Sequence, residues 1–248
     1  RRERDEPGEA AQRYAREVVR LLSEVTSEGY VFRVDLRLRP ASEVSPLAIP
    51  LDGAITHYES SALAWERAAF IRARACAGDI AAGEAFLDHI RPFVWRRSLD
   101  FGAIDEVRRL THRIRDEQRG PCVPEPGYNL KLGRGGIREI EFFAQTHQLI
   151  HGGRDPSLRV RGTRAALDAL AETGRISTGD AEALGESYDG LRVIEHRLQM
   201  VGDKQTHSLP AGDALDNVAR LHGLPDGKAL VEHVRELARP VAERFDAL

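Results

Sequence analysis

From residue 160 to the end, apolar side chains recur at three- and four-residue spacing with only short polar breaks. That rhythm restricts this part of the chain to packed helices. Helices are predicted over 162–173, 178–201, 211–222 and 227–247, with Leu184, Leu191, Ile194, Leu198 and Val201 marking the buried face of the longest. Short turns between successive helices make neighbours antiparallel, so an antiparallel helical bundle is expected. The same period governs much of the first half. Tyr14, Val18, Leu21, Leu22 and Val25 trace a helix that starts after Pro7 and runs to about Thr26. Residues 52–76 read as one helix, with Ile55, Tyr58, Ala62, Trp65, Ala69 and Arg72 on a stripe; shorter helices follow over 79–91 and 102–118. The run "RGPCVPEPGYN" is the clearest linker, and the chain is read as two segments, 1–120 and 121–248.

One stretch breaks the helical rhythm. In "YVFRVDLRLRP", residues 30–40, Tyr30, Phe32, Val34, Leu36 and Leu38 alternate with Val31, Arg33, Asp35, Arg37 and Arg39. Alternation of this kind predicts a half-buried strand, so the expected class is α+β, mostly helical. Its second face sets one carboxylate among three guanidiniums, within about 7 Å of two of them. A carboxylate kept ionised by cations suits a metal ion, and arginines suit phosphoryl oxygens. The same pattern also describes a solvated edge strand whose charges resist aggregation.

A second candidate is "KLGRGGIRE", residues 131–139. Gly133, Gly135 and Gly136 precede a predicted helix with Ile137, Ile140, Ala144 and Ile150 inward, and Lys131, Arg134 and Arg138 add positive charge. Free amides at a helix start favour an anion. The segment is neither a P-loop nor a dinucleotide fingerprint, since Arg138 stands where the third glycine would be. A plain tight turn into a helix explains it equally well. His147 and His151 lie four apart, but no Glu follows His147, so no metalloprotease motif is present. Arg96 and Arg97 in "FVWRRSLDF" read as a charged helix junction, Trp65 as core, and Glu66 and Arg67 as an adjoining face turned toward the strand.

Composition narrows the classes. A net charge of −3 gives no general attraction to nucleic acid or an anionic membrane, and no aromatic–basic stacking platform appears. Cys76 and Cys122 are isolated and read as reduced thiols. No apolar run approaches a membrane span and no signal peptide is recognised, so a cytoplasmic protein is expected. The first residues lack an initiator Met, and the chain reads as a piece of a longer one.

Taken in order, "GYVFRVDLRLRP", "HYESSALAWERAAFIRARACAGD", "RPFVWRRSLDF" and "LKLGRGGIREIEFFAQTHQLIHGGRDPSLR" resemble the bifunctional glutamine synthetase adenylyltransferase/adenylyl-removing family, over nearly the whole chain. The resemblance implies the C-terminal part of a polymerase-β-type nucleotidyltransferase domain followed by a helical bundle. That family carries two such units: one removes AMP from a tyrosine of glutamine synthetase with inorganic phosphate, yielding ADP, and the other adds AMP from ATP. "FVWRRSLDF" and the Arg-Glu of "GGIREIEF" resemble the removing copy; the adding copy tends to carry Asp at the position of Glu139 and lacks the paired arginines.

The resemblance further implies that Asp35 is the third acidic residue of the nucleotidyltransferase site and binds Mg²⁺, with Arg37 and Arg39 as the basic positions after it. Lys131, Gly133, Gly135, Gly136, Arg138 and Glu141 correspond to a segment placed near nucleotide or phosphate. Two departures stand out. The loop after the strand reads "EVSPL" where the family has "SGPL", and the Gly-Ser and Asp-x-Asp signature supplying the other two metal carboxylates is nowhere in the sequence. One carboxylate cannot clamp two metals, so the chain alone is expected to be inert. Two alternatives stay open: the adenylylating half, and a non-catalytic helical module docking glutamine synthetase or a PII-type signal protein.

Overall fold

The computed structural model describes residues 7–41, 43–97, 120–201 and 204–248. The chain divides into two compact units, Arg1–Val94 and Trp95–Leu248. The first unit is built of α1 (Pro7–Ser23), α2 (Leu51–Ser60), α3 (Ala64–Phe70), α4 (Ile80–His89) and α5 (Arg91–Val94). Its centre is an aromatic cluster in which the Tyr58 ring lies 4.7 Å from Phe70 and 5.5 Å from Phe93. Asp79 starts α4 by accepting a hydrogen bond from the Ala82 amide at 2.9 Å.

The single helix expected over 52–76 is two. The break at Ser61–Leu63 is held by Glu66, whose Oε1 accepts from the Leu63 amide at 2.9 Å and whose Oε2 meets His57 Nε2 at 3.0 Å. The break shifts the helical phase. Glu66 and Arg67 are therefore buried, Arg67 over the Phe93 ring, while Trp65 is only half-buried.

The expected strand at 30–38 does not form, and among the described residues there is no strand, only isolated antiparallel bridges at Thr26–Gly29 and Asn129–Ser208. The described residues are helical, and the mixed α+β class is corrected to that extent. The reason is physical: an extended segment is stable only when its amides and carbonyls are taken up by neighbouring strands. Here the backbone bond from the Phe32 amide to the Leu22 carbonyl, at 2.7 Å, ties the segment to the end of α1 instead. Its apolar side stays open, with Phe32 66% and Leu38 60% exposed. The stripe of α1 is equally open: Tyr14 and Leu21 are exposed, as is Val25 just past the helix end.

The second unit comprises α6 (Ile137–His151), a 3₁₀ turn (Pro156–Leu158), α7 (Thr163–Glu172), α8 (Thr178–Met200), α9 (Asp213–Leu221) and α10 (Gly227–Asp246). The last four helices match the sequence reading to within two residues at each end. Here α8 packs along α10, and α7 lies against both α6 and α8. Leu184, Leu191, Ile194 and Leu198 are buried as the periodicity requires, with Ile140, Leu167, Leu230 and Val241 packed among them; Val201 lies past the helix end, exposed. Ser177 and Asp226 cap α8 and α10 through their side chains. The helix expected over 102–118 lies outside the described residues.

Candidate functional site

In the first unit, the Asp35 carboxylate is wholly engaged by Arg37. Oδ1 accepts from the Arg37 amide at 3.1 Å and from Nε at 3.0 Å, and Oδ2 accepts from Nη2 at 2.6 Å. These bonds hold the Asp35 carboxyl down at about 2. Both side chains are open to water. Arg39 instead fixes the loop after the segment, its Nη1 donating to the Leu36 carbonyl at 2.8 Å and its Nη2 to the Ser45 carbonyl at 3.2 Å. Among the described residues no group of three or more His, Cys, Asp or Glu side chains is arranged to hold a metal ion. One carboxylate already matched to an arginine does not make a two-metal site.

In the second unit, the glycine segment is a closed turn. The Gly133 amide donates to the Asn129 carbonyl, Gly136 to Gly133, Ile137 to Leu130 and Arg138 to Lys131, each within 2.9 Å. The Gly135 amide donates to the Glu139 carboxylate at 2.9 Å. Amides that would cradle an anion are thus used internally, and the expectation of free donors at this helix start is corrected for them. The glycines are there for packing. A Cβ on Gly133 would sit 2.5 Å from the Tyr128 ring. At Gly135, φ is +79° and a Cβ would collide with the Ala238 carbonyl oxygen of α10. Among the basic side chains, Arg134 pairs with Asp246 at 2.6 Å. Arg138 lies over the Phe142 ring and 3.9 Å from the buried Glu141, while Lys131 is half-buried.

The most demanding polar group of this unit was not singled out from sequence. Glu195, midway along α8, is only 1% exposed. Its Oε1 meets His207 Nδ1 at 2.7 Å and its Oε2 meets Arg192 Nη1 at 2.6 Å. Burial opposes ionisation, but the His207 bond and the charges of Arg192 and Lys131 outweigh it and hold the carboxyl below its ordinary value. The available signal was its spacing: Leu191, Glu195 and Leu198 share one helical face, so a charge stands on the core stripe. His147 and His151 stack with ring centroids 6.1 Å apart, burial holding the His147 imidazole down at about 4. Cys76 and Cys122 are free and exposed, and among the described residues no helix is long and apolar enough to cross a membrane.

Residues 106–248 match the family model described as GlnD PII-uridylyltransferase, and residues 2–89 match the one described as glutamate-ammonia ligase adenylyltransferase. Both are nucleotidyltransferase models. A bifunctional glutamine synthetase adenylyltransferase/adenylyl-removing enzyme of Agrobacterium fabrum is 48% identical over 98% of this chain and 25% of its own length. Its namesakes in Bradyrhizobium diazoefficiens and Caulobacter vibrioides are 50% and 47% identical, each over 98% of this chain and 24% and 25% of their own lengths. The chain belongs to this family of bifunctional glutamine synthetase adenylyltransferase/adenylyl-removing enzymes, and it spans about a quarter of the length of the curated relatives it matches.

Proposed function

We propose that this chain is part of the adenylyl-removing half of such an enzyme, in the cytoplasm, acting on adenylylated glutamine synthetase. In that reaction an oxygen of inorganic phosphate bonds to the phosphorus of the AMP–tyrosine linkage. The bond to the phenolic oxygen breaks, ADP leaves, and the tyrosine oxygen takes up a proton. The observation that carries the reading is the identity, near half, extending over almost the whole chain to enzymes named for both activities. The removing half is favoured by "FVWRRSLDF" and by the Arg-Glu pair at 138–139. Mg²⁺ is the ion we assign, with Asp35 as one of its carboxylates. Since Asp35 alone does not complete such a site, no step is routed through the ion, and the isolated chain is expected to be inert. Arg37 is the nearest group able to balance phosphoryl charge once Asp35 turns to another partner.

The test is a chimera in which this chain replaces its matching quarter of the Agrobacterium fabrum enzyme. Asp35→Asn in the chimera should lower phosphate-dependent ADP formation about 100-fold or more and leave ATP-dependent adenylylation in place. Loss of the ATP reaction instead assigns the chain to the adenylylating half. Loss of neither assigns it to a docking role, toward glutamine synthetase or a PII-type protein.

A further inference from the structure

Glu195 and His207 are joined in a way that packing alone does not require. A carboxylate at 1% exposure is costly to desolvate and is retained only with strong partners. Being ionised, Glu195 can only accept, so His207 Nδ1 donates to it, and in the neutral ring this leaves the lone pair on Nε2. That Nε2 has no hydrogen-bond partner among the described residues and is not among their buried unpartnered polar atoms, and the side chain is 21% exposed. Lys131 stands close enough for its charge to act on the Glu195 carboxylate. The Leu130 amide donates to the His207 carbonyl at 2.8 Å and the Leu209 amide to the Tyr128 carbonyl at 2.9 Å, so Lys131 follows directly on the residue paired with His207. The Lys131 amide is itself held by Asn129 Oδ1 at 3.0 Å.

We propose that Glu195 and His207 form a carboxylate–imidazole dyad that, with Lys131, binds a protonated phosphate group. The P–OH of monohydrogen phosphate donates to the His207 Nε2 lone pair, and the Lys131 ammonium balances the remaining charge. Glu195 is a positioning residue: it sets the tautomer and angle of the ring, as a carboxylate behind a ligating histidine does in metal sites. Arg192, on the second carboxylate oxygen, keeps Glu195 ionised and in place. The phosphate source, free or carried on a nucleotide, is the phosphoryl chemistry of the function proposed above. The dyad rests on that reading only for its ligand.

The 248-residue chain itself is the material for the test, labelled with ¹⁵N-histidine. Long-range proton–nitrogen spectra at neutral pH should show His207 protonated on Nδ1. Inorganic phosphate, added against sodium chloride of equal ionic strength, should shift Nε2 saturably. ADP in place of phosphate separates the two sources, tighter binding of ADP pointing to the nucleotide-borne group. Glu195→Gln should mix the tautomers and weaken binding about five-fold. Should that variant fail to fold, His207→Gln, uniformly ¹⁵N-labelled and with unchanged amide spectra elsewhere, should bind phosphate equally weakly by titration calorimetry. An Nε2-protonated ring, an equal shift with chloride, or normal binding by His207→Gln overturns the proposal. The Asp35 chimera is read without reference to His207: an inactive chimera with an intact phosphate shift removes the proposed function and leaves the dyad, and the reverse result removes only the dyad.

Discussion

The two units close their surfaces very differently. In the second, the largest side chains of the core, among them Tyr128, Leu130, Ile137, Leu191 and Ile194, are fully enclosed. In the first, Tyr14 is 75% exposed and Val25 76%, and the alternating segment leaves Phe32 and Leu38 in water. Composition does not account for the contrast, since both halves carry apolar stripes at regular spacing. The helical bundle meets its own stripes, because successive antiparallel helices bring them face to face. A lone extended segment cannot do this, since its backbone and its apolar side both require neighbouring strands. Periodicity states which side of an element is apolar; burial depends on what is present to cover it.

The contrast can be broken most sharply at Gly135. Gly135→Val puts a branched side chain at positive φ against the Ala238 carbonyl, and the second unit is expected to lose its cooperative thermal transition altogether. A melt like that of the parent chain would mean that the turn does not rest on α10 as described. A paired truncation comes next. Leu191→Ala should cost about 2–5 kcal/mol in denaturant unfolding, whereas Leu21→Ala, at a site 61% exposed, should stay within about 0.5 kcal/mol. Equal costs would show that the stripe of α1 is covered in solution.

Acid gives the smallest and most diagnostic effect. Burial holds His147 down at about 4, and burial together with arginine neighbours lowers His151 and His222. A histidine whose folded pKa is depressed contributes its full stability above the ordinary value of 6.5 and loses it as pH falls toward the folded value. The second unit should therefore lose stability between pH 6.5 and about 4, with His147 contributing at most about 3 kcal/mol. Asp35 in the first unit, held at about 2, keeps its contribution above the ordinary 3.8 and loses it only below, as pH falls through about 2. Its pair with Arg37 is open to water and worth little. Circular dichroism at 222 nm against pH, with His147→Gln as the control, separates the two windows: the substitution should flatten the loss above about pH 4.

Helices of the bundle were legible because each needs only its own stripe and a neighbour of the same kind. The ends of α7, α8, α9 and α10 fall within two residues of their expected positions. The break between α2 and α3 was hidden, because Glu66 closes it from within an apparently continuous pattern. In the candidate site, the pairing of Asp35 with a basic neighbour was readable from alternation, but the choice of Arg37, with Arg39 sent to the loop carbonyls, was not. The glycine cluster showed a tight turn without showing that α10 fills the space the missing side chains leave. Glu195 could have been noticed, since a carboxylate on a core stripe calls for a partner; that the partner is His207, beyond the helix end, depends on the path of the connecting chain.

The bond from Arg134 to Asp246 spans 112 residues of sequence, and that from Arg235 to the Pro124 carbonyl spans 111. Contacts this distant are assembled late, after the entropy of closing the intervening chain has been met. On a ribosome the glycine turn must therefore wait, without the surface it rests on, until α10 has emerged. Whatever chemistry depends on that turn is withheld from nascent chains and switched on only when that helix docks.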